Sequence, residues 1–498
     1  MLLDNIKEDN NYTLTENGGV THKTTNSAIF DMFALGGAMR DRFDNDIITM
    51  FRRAYAENRD YAMKLLFYFR NVRGGQGERN IFRVIIKDMA MSAYNDFGES
   101  IKKNLIYIPV FGRWDDLYTF VGTPYEENAF KIMSDQLIKD LSSDTPSLLA
   151  KWMKSENTSS KESRRLANLT REYLHLDHKQ YRWMLSSLRQ RINIVEKLMS
   201  QQQWDNIEFD KLPSRAGLIY RNAFARNEET RDRYIQFMTN KESVVNAGTL
   251  YPYDVVEQAI KYNSRYGDPV ERAAINKYWK NLTDYFKGAS LDALCMVDTS
   301  GSMMGRPIDV AISLGLYCAE RNKGPWKNHY ISFSHHPQLI ETKGIDFVDK
   351  VHRIYRTNLC QNTNIEAAFD MIFDTAMKHN LRSDEIPKNL IIISDMEFDQ
   401  ATAQYQSYLY GKPRVDNNIE TVMEGIRAKW NEHGLRLPNI IYWNVDARQP
   451  NIPDLGDKNI SYVSGFSPVI FKQIMSGKTG YQLMMEVIGS PEYACIHA

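Results

Sequence analysis

The sequence predicts a multidomain α and α/β protein, in which an all-helical part precedes a part built on a parallel sheet. In the C-terminal part, short apolar runs rich in Ile and Val alternate with segments of helical periodicity. In the preceding part, apolar residues recur at helical spacing, and no long β-alternation interrupts them. We therefore expect a polar segment over 1–28, a helical domain over 29–288 and an α/β domain over 289–498.

Amphipathic patterns mark the helices of the first part. They cover 47–55, 61–70, 82–94, 129–141 and 231–238, with a further apolar stripe running from 184 to 199. Short loops between helices of this length predict antiparallel helix pairs, stacked as in HEAT-like repeats. The sequence shows no clean internal repeat.

Strand candidates in the second part lie at 291–297, 329–333, 390–393, 439–445 and 460–463. Helical patterns lie between or after them, near 308–321, 365–378, 421–432, 468–475 and 481–488. This alternation is typical of a Rossmann-like parallel sheet covered on both faces. Right-handed crossovers bring the loops after Val297, Arg356 and Ile393 to one edge of the sheet.

Three oxygen-bearing side chains follow the first of these strands in a D-x-S-x-S pattern. Asp298, Ser300 and Ser302 stand at the carboxyl end of the strand, where open α/β sheets place their sites. Hard divalent cations take oxygen ligands, and Mg²⁺ binds through one or two carboxylates while keeping several waters. The pattern therefore indicates a divalent-cation site. The alternative is a helix N-cap after a strand.

The run MVDTSGSM, with NTNIEAAFDMIF and NLIIISD further along, resembles the metal-ion-dependent adhesion site (MIDAS) of von Willebrand factor A (vWA) domains. By this resemblance, Thr363 and Asp395 complete the ligand set begun by Asp298, Ser300 and Ser302. The resemblance implies Mg²⁺ or Mn²⁺ as the metal, with the two serines binding directly. It implies that Thr363 binds directly or through water, and that the two aspartates bind largely through waters.

Further motifs resemble a helical family of unassigned function that precedes a vWA-like domain. They are LTENGG, FYFRNVRGGQGERNIFR, GRWDDL, KLPSRAGLIYRNAFAR and SDMEFD. This architecture is similar to that of the Ro autoantigen, in which a ring of helical repeats, the TROVE module, is closed by a vWA domain. Ro-type proteins bind small non-coding RNAs on a basic outer face and misfolded RNA ends through the hole of the ring. The resemblance thus implies a small structured or single-stranded-ended RNA as partner.

The glycine-rich run RNVRGGQGER supplies the first candidate RNA-binding residues. Its glycines break a helix, and Arg70, Arg73 and Arg79 surround the break. A helix beginning near Asn80 would offer its N-terminus to an anion. The alternative is a turn between helices whose arginines pair with Glu78 and neighbouring acids.

A basic segment supplies the other candidates. Residues 151–226 hold about 15 Lys and Arg against about 8 Asp and Glu, although the whole chain has a net charge of zero. Basic residues with interleaved aromatic residues can bind phosphates and stack on unpaired bases. The alternative is a solvated helical surface. With Arg113 of GRWDDL, a motif that we expect to be mainly structural, the remaining candidates are Arg182, Arg189, Arg215 and Arg221.

The composition and the motifs of the sequence exclude several classes of protein. No apolar run is long enough for a membrane helix, and the polar N-terminus resembles no signal peptide. The four cysteines lack C-x-x-C spacing, which predicts reduced thiols in a cytoplasmic protein. No H-E-x-x-H pattern or activated nucleophile is recognisable, so we do not expect an enzyme.

These observations predict a non-catalytic, Ro-like RNA-binding scaffold with a divalent-metal-dependent vWA ligand site. The alternative is a cytoplasmic protein-interaction adaptor, whose vWA metal captures an acidic protein partner without RNA. The distribution of the basic residues of 151–226 separates the two hypotheses. They gather on one surface in the first and scatter into salt bridges in the second.

Overall fold

The computed structural model describes residues 11–92, 95–192, 194–286, 292–333, 337–357, 364–399, 421–455, 460–474 and 477–498. The chain forms two compact units. We call Met1–Asn58 with Ala247–Ser490 the sheet unit, and Arg59–Asn246 with Pro491–Ala498 the helical unit. Among the described residues, no helix combines the length and the apolar character needed to span a membrane.

The α-helices before the main sheet are α1 (Ala28–Gly36), α2 (Asp44–Glu57), α3 (Arg59–Arg70), α4 (Asn80–Met91), α5 (Asn95–Asn104), α6 (Ile108–Phe111), α7 (Glu126–Ser142), α8 (Leu149–Trp152), α9 (Lys161–Tyr173), α10 (His178–Arg191), α11 (Val195–Ser200), α12 (Ser214–Arg226), α13 (Arg231–Thr239), α14 (Pro252–Lys261) and α15 (Pro269–Lys280). Those that follow are α16 (Arg306–Arg321), α17 (Phe347–Thr357), α18 (Ile365–His379), α19 (Val422–Glu432), α20 (Val469–Ile474) and α21 (Gly480–Ile488). Short 3₁₀ helices cover Leu105–Tyr107, Trp114–Phe120, Trp204–Asn206, Gly301–Met303 and Pro491–Tyr493.

The strands are β1 (Tyr12–Leu14), β2 (Val20–His22), β3 (Ala293–Asp298), β4 (His329–Phe333), β5 (Gln338–Glu341), β6 (Asn389–Ser394), β7 (Asn439–Asn444) and β8 (Ile460–Ser464). The six strands β3–β8 form one sheet in the order β5-β4-β3-β6-β7-β8. All neighbours in it are parallel except the edge strand β5, which runs antiparallel to β4. The predicted fold class, a helical region followed by an α/β region with a parallel sheet, is confirmed.

The topology places two loops side by side at the carboxyl edge of the sheet. Strand β3 pairs with β4 on one side and with β6 on the other, so the strand order reverses between β3 and β6. Open α/β sheets bind ligands at such a switch point. Both strands are apolar and almost wholly buried, which fits strands covered on both faces. The loops that follow Asp298 and Ser394 therefore meet at the switch point.

The N-terminal segment contains a β-hairpin that the sequence patterns did not predict. Strands β1 and β2 have only three residues each, too short for a recognisable alternation. The turn contains Gly18 with φ +82° and Gly19, which packs against the loop after β6. A Cβ on Gly19 would lie 2.6 Å from the carbonyl oxygen of Phe398. The glycines of LTENGG are thus required by a left-handed backbone and a close approach.

The two units divide the chain differently from the boundaries drawn at 28/29 and 288/289. Helices α1 and α2 belong to the sheet unit, because the chain after α1 returns to the end of β8. There the amide of Gly37 donates to Ser464 Oγ at 2.9 Å. Helices α14 and α15 belong to the same unit, and Arg272 on α15 pairs with Asp346 at 2.7 Å.

Most predicted helices of the first part are present, but the apolar stripe from 184 to 199 is divided. Helix α10 ends at Arg191, and α11 begins at Val195 after an extended Ile194 with φ −76° and ψ 135°. From Ile192 to Val195, the first residue of α11, the sequence reads Ile-Asn-Ile-Val. β-Branched residues lose side-chain freedom in a helix, which gives this run a low helix propensity.

Candidate functional site

The predicted oxygen ligands of the first loop lie together in the sheet unit. Asp298 is the last residue of β3 and is fully buried. Its Oδ1 accepts a hydrogen bond from the amide of Ser300 at 2.9 Å. The 3₁₀ turn Gly301–Met303 then brings Ser302 back, with its Oγ 2.9 Å from the Oγ of Ser300. The D-x-S-x-S spacing therefore places one carboxylate and two hydroxyls on a single tight loop.

The structure brings Asp395 to the same place from the neighbouring strand. The Oγ of Ser394, the last residue of β6, lies 2.5 Å from Asp298 Oδ2 and 3.4 Å from Asp395 Oδ1. Both aspartates are fully buried. Burial, followed by the charge of Asp395, raises the pKa of Asp298 to about 7. Two like charges so close together in a buried place are destabilising unless a cation is nearby.

Residues outside the predicted ligand set add more acid to this edge of the sheet. Glu397 is fully buried, and its pKa is raised to about 7, first by burial and then by Asp395. Within the described residues, Glu397 Oε1 has no hydrogen-bond partner. Burial also raises the pKa of Asp446 to about 6, and the charge of Asp395 acts in the same direction. Met396, with φ +65°, holds the chain between Asp395 and Glu397 in the left-handed region.

Among the described residues, Arg448 reaches into this acidic group. Arg448 Nη2 lies 2.5 Å from Asp395 Oδ2, and its Nη1 lies 3.0 Å from Glu16 Oε2. Glu16 comes from the LTENGG hairpin, and its amide donates to Glu397 Oε2 at 2.7 Å. The Asn17 side chain donates to the carbonyl oxygen of Glu397 at 2.5 Å. We call Glu16, Asp298, Asp395, Glu397 and Asp446 the acidic group; Arg448 forms ion pairs with Glu16, Asp395 and Asp446.

The donor set suits a hard divalent cation. Among the described residues, no group of three or more His, Cys, Asp or Glu side chains could hold a metal ion. The candidate site therefore depends on the hydroxyls of Ser300 and Ser302 beside Asp298 and Asp395. Carboxylate and hydroxyl oxygens are ligands for Mg²⁺ and Mn²⁺. The fifth predicted ligand, Thr363, lies outside the described residues.

Sequence reasoning missed Glu16, Glu397, Asp446 and Arg448. A signal was present for Asp446 and Arg448, because both follow the parallel strand β7 at the same edge as Asp298. Glu397 belongs to the quoted motif SDMEFD and Glu16 to LTENGG. Their meeting depends on a contact between segments about 380 residues apart, which no local pattern encodes.

In the helical unit, the glycine-rich motif and GRWDDL form one structure. The amide of Val72 donates to the carbonyl oxygen of Phe111 at 2.9 Å, which joins the turn after α3 to the end of α6. Arg70 is 2% exposed, and its Nη2 lies 2.7 Å from Asp116 Oδ2, itself fully buried. A Cβ on Gly112 would lie 2.8 Å from Arg70 Nε, so this position requires glycine. Arg70 is therefore a structural residue, and its guanidinium group is not accessible to RNA.

Two more of the candidate arginines form hydrogen bonds within the helical unit. Arg189 donates to the carbonyl oxygens of Ala150 and Met153 and to Ser155 Oγ, each at 2.8 Å, and so satisfies the end of α8. Arg221 is 5% exposed, and its Nη1 donates to the carbonyl oxygen of Leu218 on its own helix. We remove Arg189 and Arg221 from the candidate surface because their guanidinium groups are engaged or buried.

The remaining candidates lie at or near the surface of the helical unit. Arg73, Arg79, Arg182 and Arg215 are exposed, whereas Arg113 is half-buried. The guanidinium group of Arg113 lies over the ring of Trp152, 4.0 Å from the ring centroid. It also makes a bidentate pair with Asp115 at 3.1 and 3.2 Å.

A groove in the helical unit coincides with the predicted basic segment. It has a volume of about 640 Å³ and lies between α8, α10 and α11. Lys151, Arg182 and Lys197 line it, together with Glu156 and Glu196. The next residue on α10, Trp183, is 70% exposed, which is unusual for a side chain of this size.

Comparisons with known proteins find two matching family models, a viral relative and a solved structure. Two family models match, each described as a domain of unknown function: DUF2828 over residues 140–290 and DUF7788 over residues 292–488. The uncharacterized protein L728 of Acanthamoeba polyphaga mimivirus is 28% identical over 508 residues, which cover 94% of this chain and 85% of that protein. The crystal structure of the Ro (RSR) protein of Deinococcus radiodurans aligns with 92% of each chain, with a TM-score of 0.38 and 12% identity.

Proposed function

We propose that this chain is a non-catalytic, Ro-like RNA-binding scaffold whose sheet unit carries a divalent-metal-dependent ligand site of the vWA type. The observation that carries the proposal is the convergence of Asp298, Ser300, Ser302 and Asp395 at the switch point of the sheet. Thr363 is the fifth ligand that we propose, on the basis of the sequence.

The charge balance of the sheet edge supports a bound cation. The acidic group contains five carboxylates, and in the part of the chain that the structure describes Arg448 forms ion pairs with three of them. Ser300 and Ser302 would hold Mg²⁺ or Mn²⁺ through their hydroxyls, with Asp298 and Asp395 supplying negative charge. When bound, the metal would supply a Lewis-acidic centre to which an acidic group of a partner could bind. The hydrogen bond from Ser300 N to Asp298 keeps the loop in the shape that presents both hydroxyls.

The first prediction tests the metal. Replacing both Ser300 and Ser302 with alanine removes two oxygen ligands, and we expect affinity for Mg²⁺ or Mn²⁺ to fall by at least roughly 100-fold in calorimetry. The matched control is the double variant Ser313→Ala with Ser461→Ala. It removes two serine hydroxyls that donate to backbone carbonyls elsewhere in the sheet unit. Equal metal affinity in the two double variants would exclude the site.

The helical unit carries the features expected of an RNA-binding surface. Lys151, Arg182 and Lys197 line one groove, and the exposed Trp183 lies on the adjacent face of α10. Lysine and arginine neutralise backbone phosphates, and an exposed aromatic ring can stack on an unpaired base. Glu156 offsets part of this charge, since its carboxylate forms ion pairs with Arg171 and His178 and lies 3.9 Å from Arg182.

The second prediction tests RNA binding at this groove. We expect Lys151→Ala with Arg182→Ala to weaken binding of a structured RNA with single-stranded ends. The slope of log K against log salt should fall by about 0.7 for each lost contact to a single-stranded backbone. Fluorescence anisotropy over a series of salt concentrations measures both effects. The control is Lys131→Ala with Lys139→Ala, which removes the same charge from exposed positions on α7.

If the unmodified protein shows no salt-sensitive RNA binding, the RNA-binding function is excluded. The acidic group would then favour the second candidate function, an adaptor that captures an acidic protein partner through the vWA metal. Such an adaptor would bind its partner only in the presence of the divalent cation, and a chelator would release the partner.

A further inference from the structure

Four cations gather around one side of the GRWDDL turn in the helical unit. We call Arg79, Arg83, Arg113 and Lys154 the cation cluster. Arg79 precedes α4 and Arg83 lies in its first turn, whereas Arg113 precedes the 3₁₀ helix Trp114–Phe120 and Lys154 follows α8. The charges of Arg79, Arg83 and Arg113 all act on the ammonium group of Lys154, so the four side chains lie close together.

Several cations in this region share two carboxylates. Asp115 pairs with Arg83 at 3.0 Å and with Arg113 at 3.1 Å. Asp116 pairs with Arg83 at 2.7 Å, but it is also the partner of the buried Arg70. With Lys154, which lies 3.9 Å from Asp115 Oδ2, four cations share these two carboxylates.

Two members of the cluster retain hydrogen-bonding capacity. Lys154 Nζ lies 3.9 Å from Asp115 Oδ2, which is an ion pair but too long for a hydrogen bond. No ion pair or hydrogen bond of the Arg79 guanidinium is found in the part of the chain that the structure describes, and Arg79 is exposed. Burial lowers the pKa of Lys154, and burial followed by Arg113 and Arg83 lowers that of Arg79. The charges of Arg83 and Arg113 lower both of these pKa values, whereas the charge of Asp115 raises them.

The backbone beside Arg79 favours an anion as well. Arg79 immediately precedes α4, a helix of 12 residues, and its own side chain makes no capping hydrogen bond. The first amides of a helix have no partner within the helix, and its dipole attracts negative charge. Arg113 lies flat on Trp152, so its position is set by stacking as well as by Asp115. The cluster is therefore positioned before any ligand arrives.

We propose that the cation cluster, with the N-terminus of α4, is a phosphate-binding site that holds a phosphate of the RNA bound by this protein. The RNA as source of the phosphate rests on the proposed function; the phosphate chemistry rests on the cluster itself. Arginine and lysine together match a phosphate well, because arginine offers paired donors and lysine a mobile charge. Arg83 and Lys154 are thereby assigned to a site that the motifs RGGQGER and GRWDDL did not indicate by themselves.

The third prediction compares Arg79→Ala with Lys154→Ala, made together, against the control Lys131→Ala with Lys139→Ala. Two readouts are used: anisotropy of a single-stranded RNA oligonucleotide, and thermal unfolding with and without inorganic pyrophosphate. We expect the cluster variant to bind the RNA at least roughly tenfold more weakly and to lose stabilisation by pyrophosphate, as linkage requires. The control variant should keep the RNA affinity of the parent and its stabilisation by pyrophosphate. Oligonucleotides with a 5′-phosphate or a 5′-hydroxyl separate a terminal phosphate from an internal one.

Thermal unfolding without phosphate separates a binding role from a structural one. If the cations repel one another, the melting temperature of the cluster variant equals or exceeds that of the parent. A lower melting temperature, restored by Arg79→Lys with Lys154→Arg, would mean that the cluster is structural and would overturn the proposal. The proposal would also be overturned if the cluster variant and the control variant bound RNA and pyrophosphate with equal affinity. If pyrophosphate binds at the cluster but no RNA binds the parent, the phosphate site stands and the RNA-binding function falls.

Discussion

Replacing Asp116 with alanine is expected to lower the free energy of unfolding by about 3–5 kcal/mol, because it leaves a buried cation without its counter-charge. Arg70 is 2% exposed and reaches Asp116 through Nε at 2.8 Å and Nη2 at 2.7 Å. Asp116 also accepts from the amide of Arg113 at 2.9 Å and so holds the start of the GRWDDL turn. Urea denaturation of the full chain measures the loss.

An exposed ion pair of the same unit is the control for this effect. Arg165 and Glu162 form a bidentate pair, but their side chains are 53% and 63% exposed. Exposed pairs contribute little because water screens them, so Arg165→Ala should change the stability by no more than about 0.5 kcal/mol. If Asp116→Ala and Arg165→Ala have similar effects, the buried pair does not stabilise the fold as described.

At the carboxyl edge of the sheet, removing a negative charge should stabilise the metal-free protein, and removing a positive charge should destabilise it. Asp298→Asn removes a buried carboxylate beside Asp395, and we expect it to raise the free energy of unfolding by about 1–3 kcal/mol. Arg448→Gln removes the cation paired with Asp395 and Glu16, and we expect it to lower the same quantity by about 1–3 kcal/mol. Both are measured by urea denaturation in the presence of a chelator.

Adding Mg²⁺ or Mn²⁺ makes the same pair of variants a test of the metal site. Arg448→Gln should gain more stability from the metal than the parent gains, because a metal would replace the lost positive charge. Asp298→Asn should gain little, because one ligand charge is missing. If Asp298→Asn destabilises the metal-free protein, the two carboxylates do not repel one another as proposed. If both variants respond to the metal as the parent does, the metal binds elsewhere.

The core of the candidate metal site was predictable because its residues follow strands. The apolar composition of a run such as Leu390–Ile393 predicts a buried strand. The carboxyl ends of parallel strands meet at one edge of the sheet, whatever the sequence of the loops. Asp298 and Asp395 could therefore be placed together from local patterns. Glu16 could not, because a hairpin with three-residue strands has no periodic signal and its partner Glu397 is far along the chain.

The sequence by itself determined the fold class, the order of the main strands along the chain and the strand-end position of the acidic and hydroxyl side chains, since these follow from short-range periodicity. Only the tertiary structure decided which arginines remain available to a ligand. Arg70 and Arg79 stand in the same motif, yet Arg70 is buried against Asp116, 46 residues away, whereas Arg79 is exposed. Burial depends on contacts between distant segments. A motif therefore shows that arginines are present, and packing determines which of them can bind.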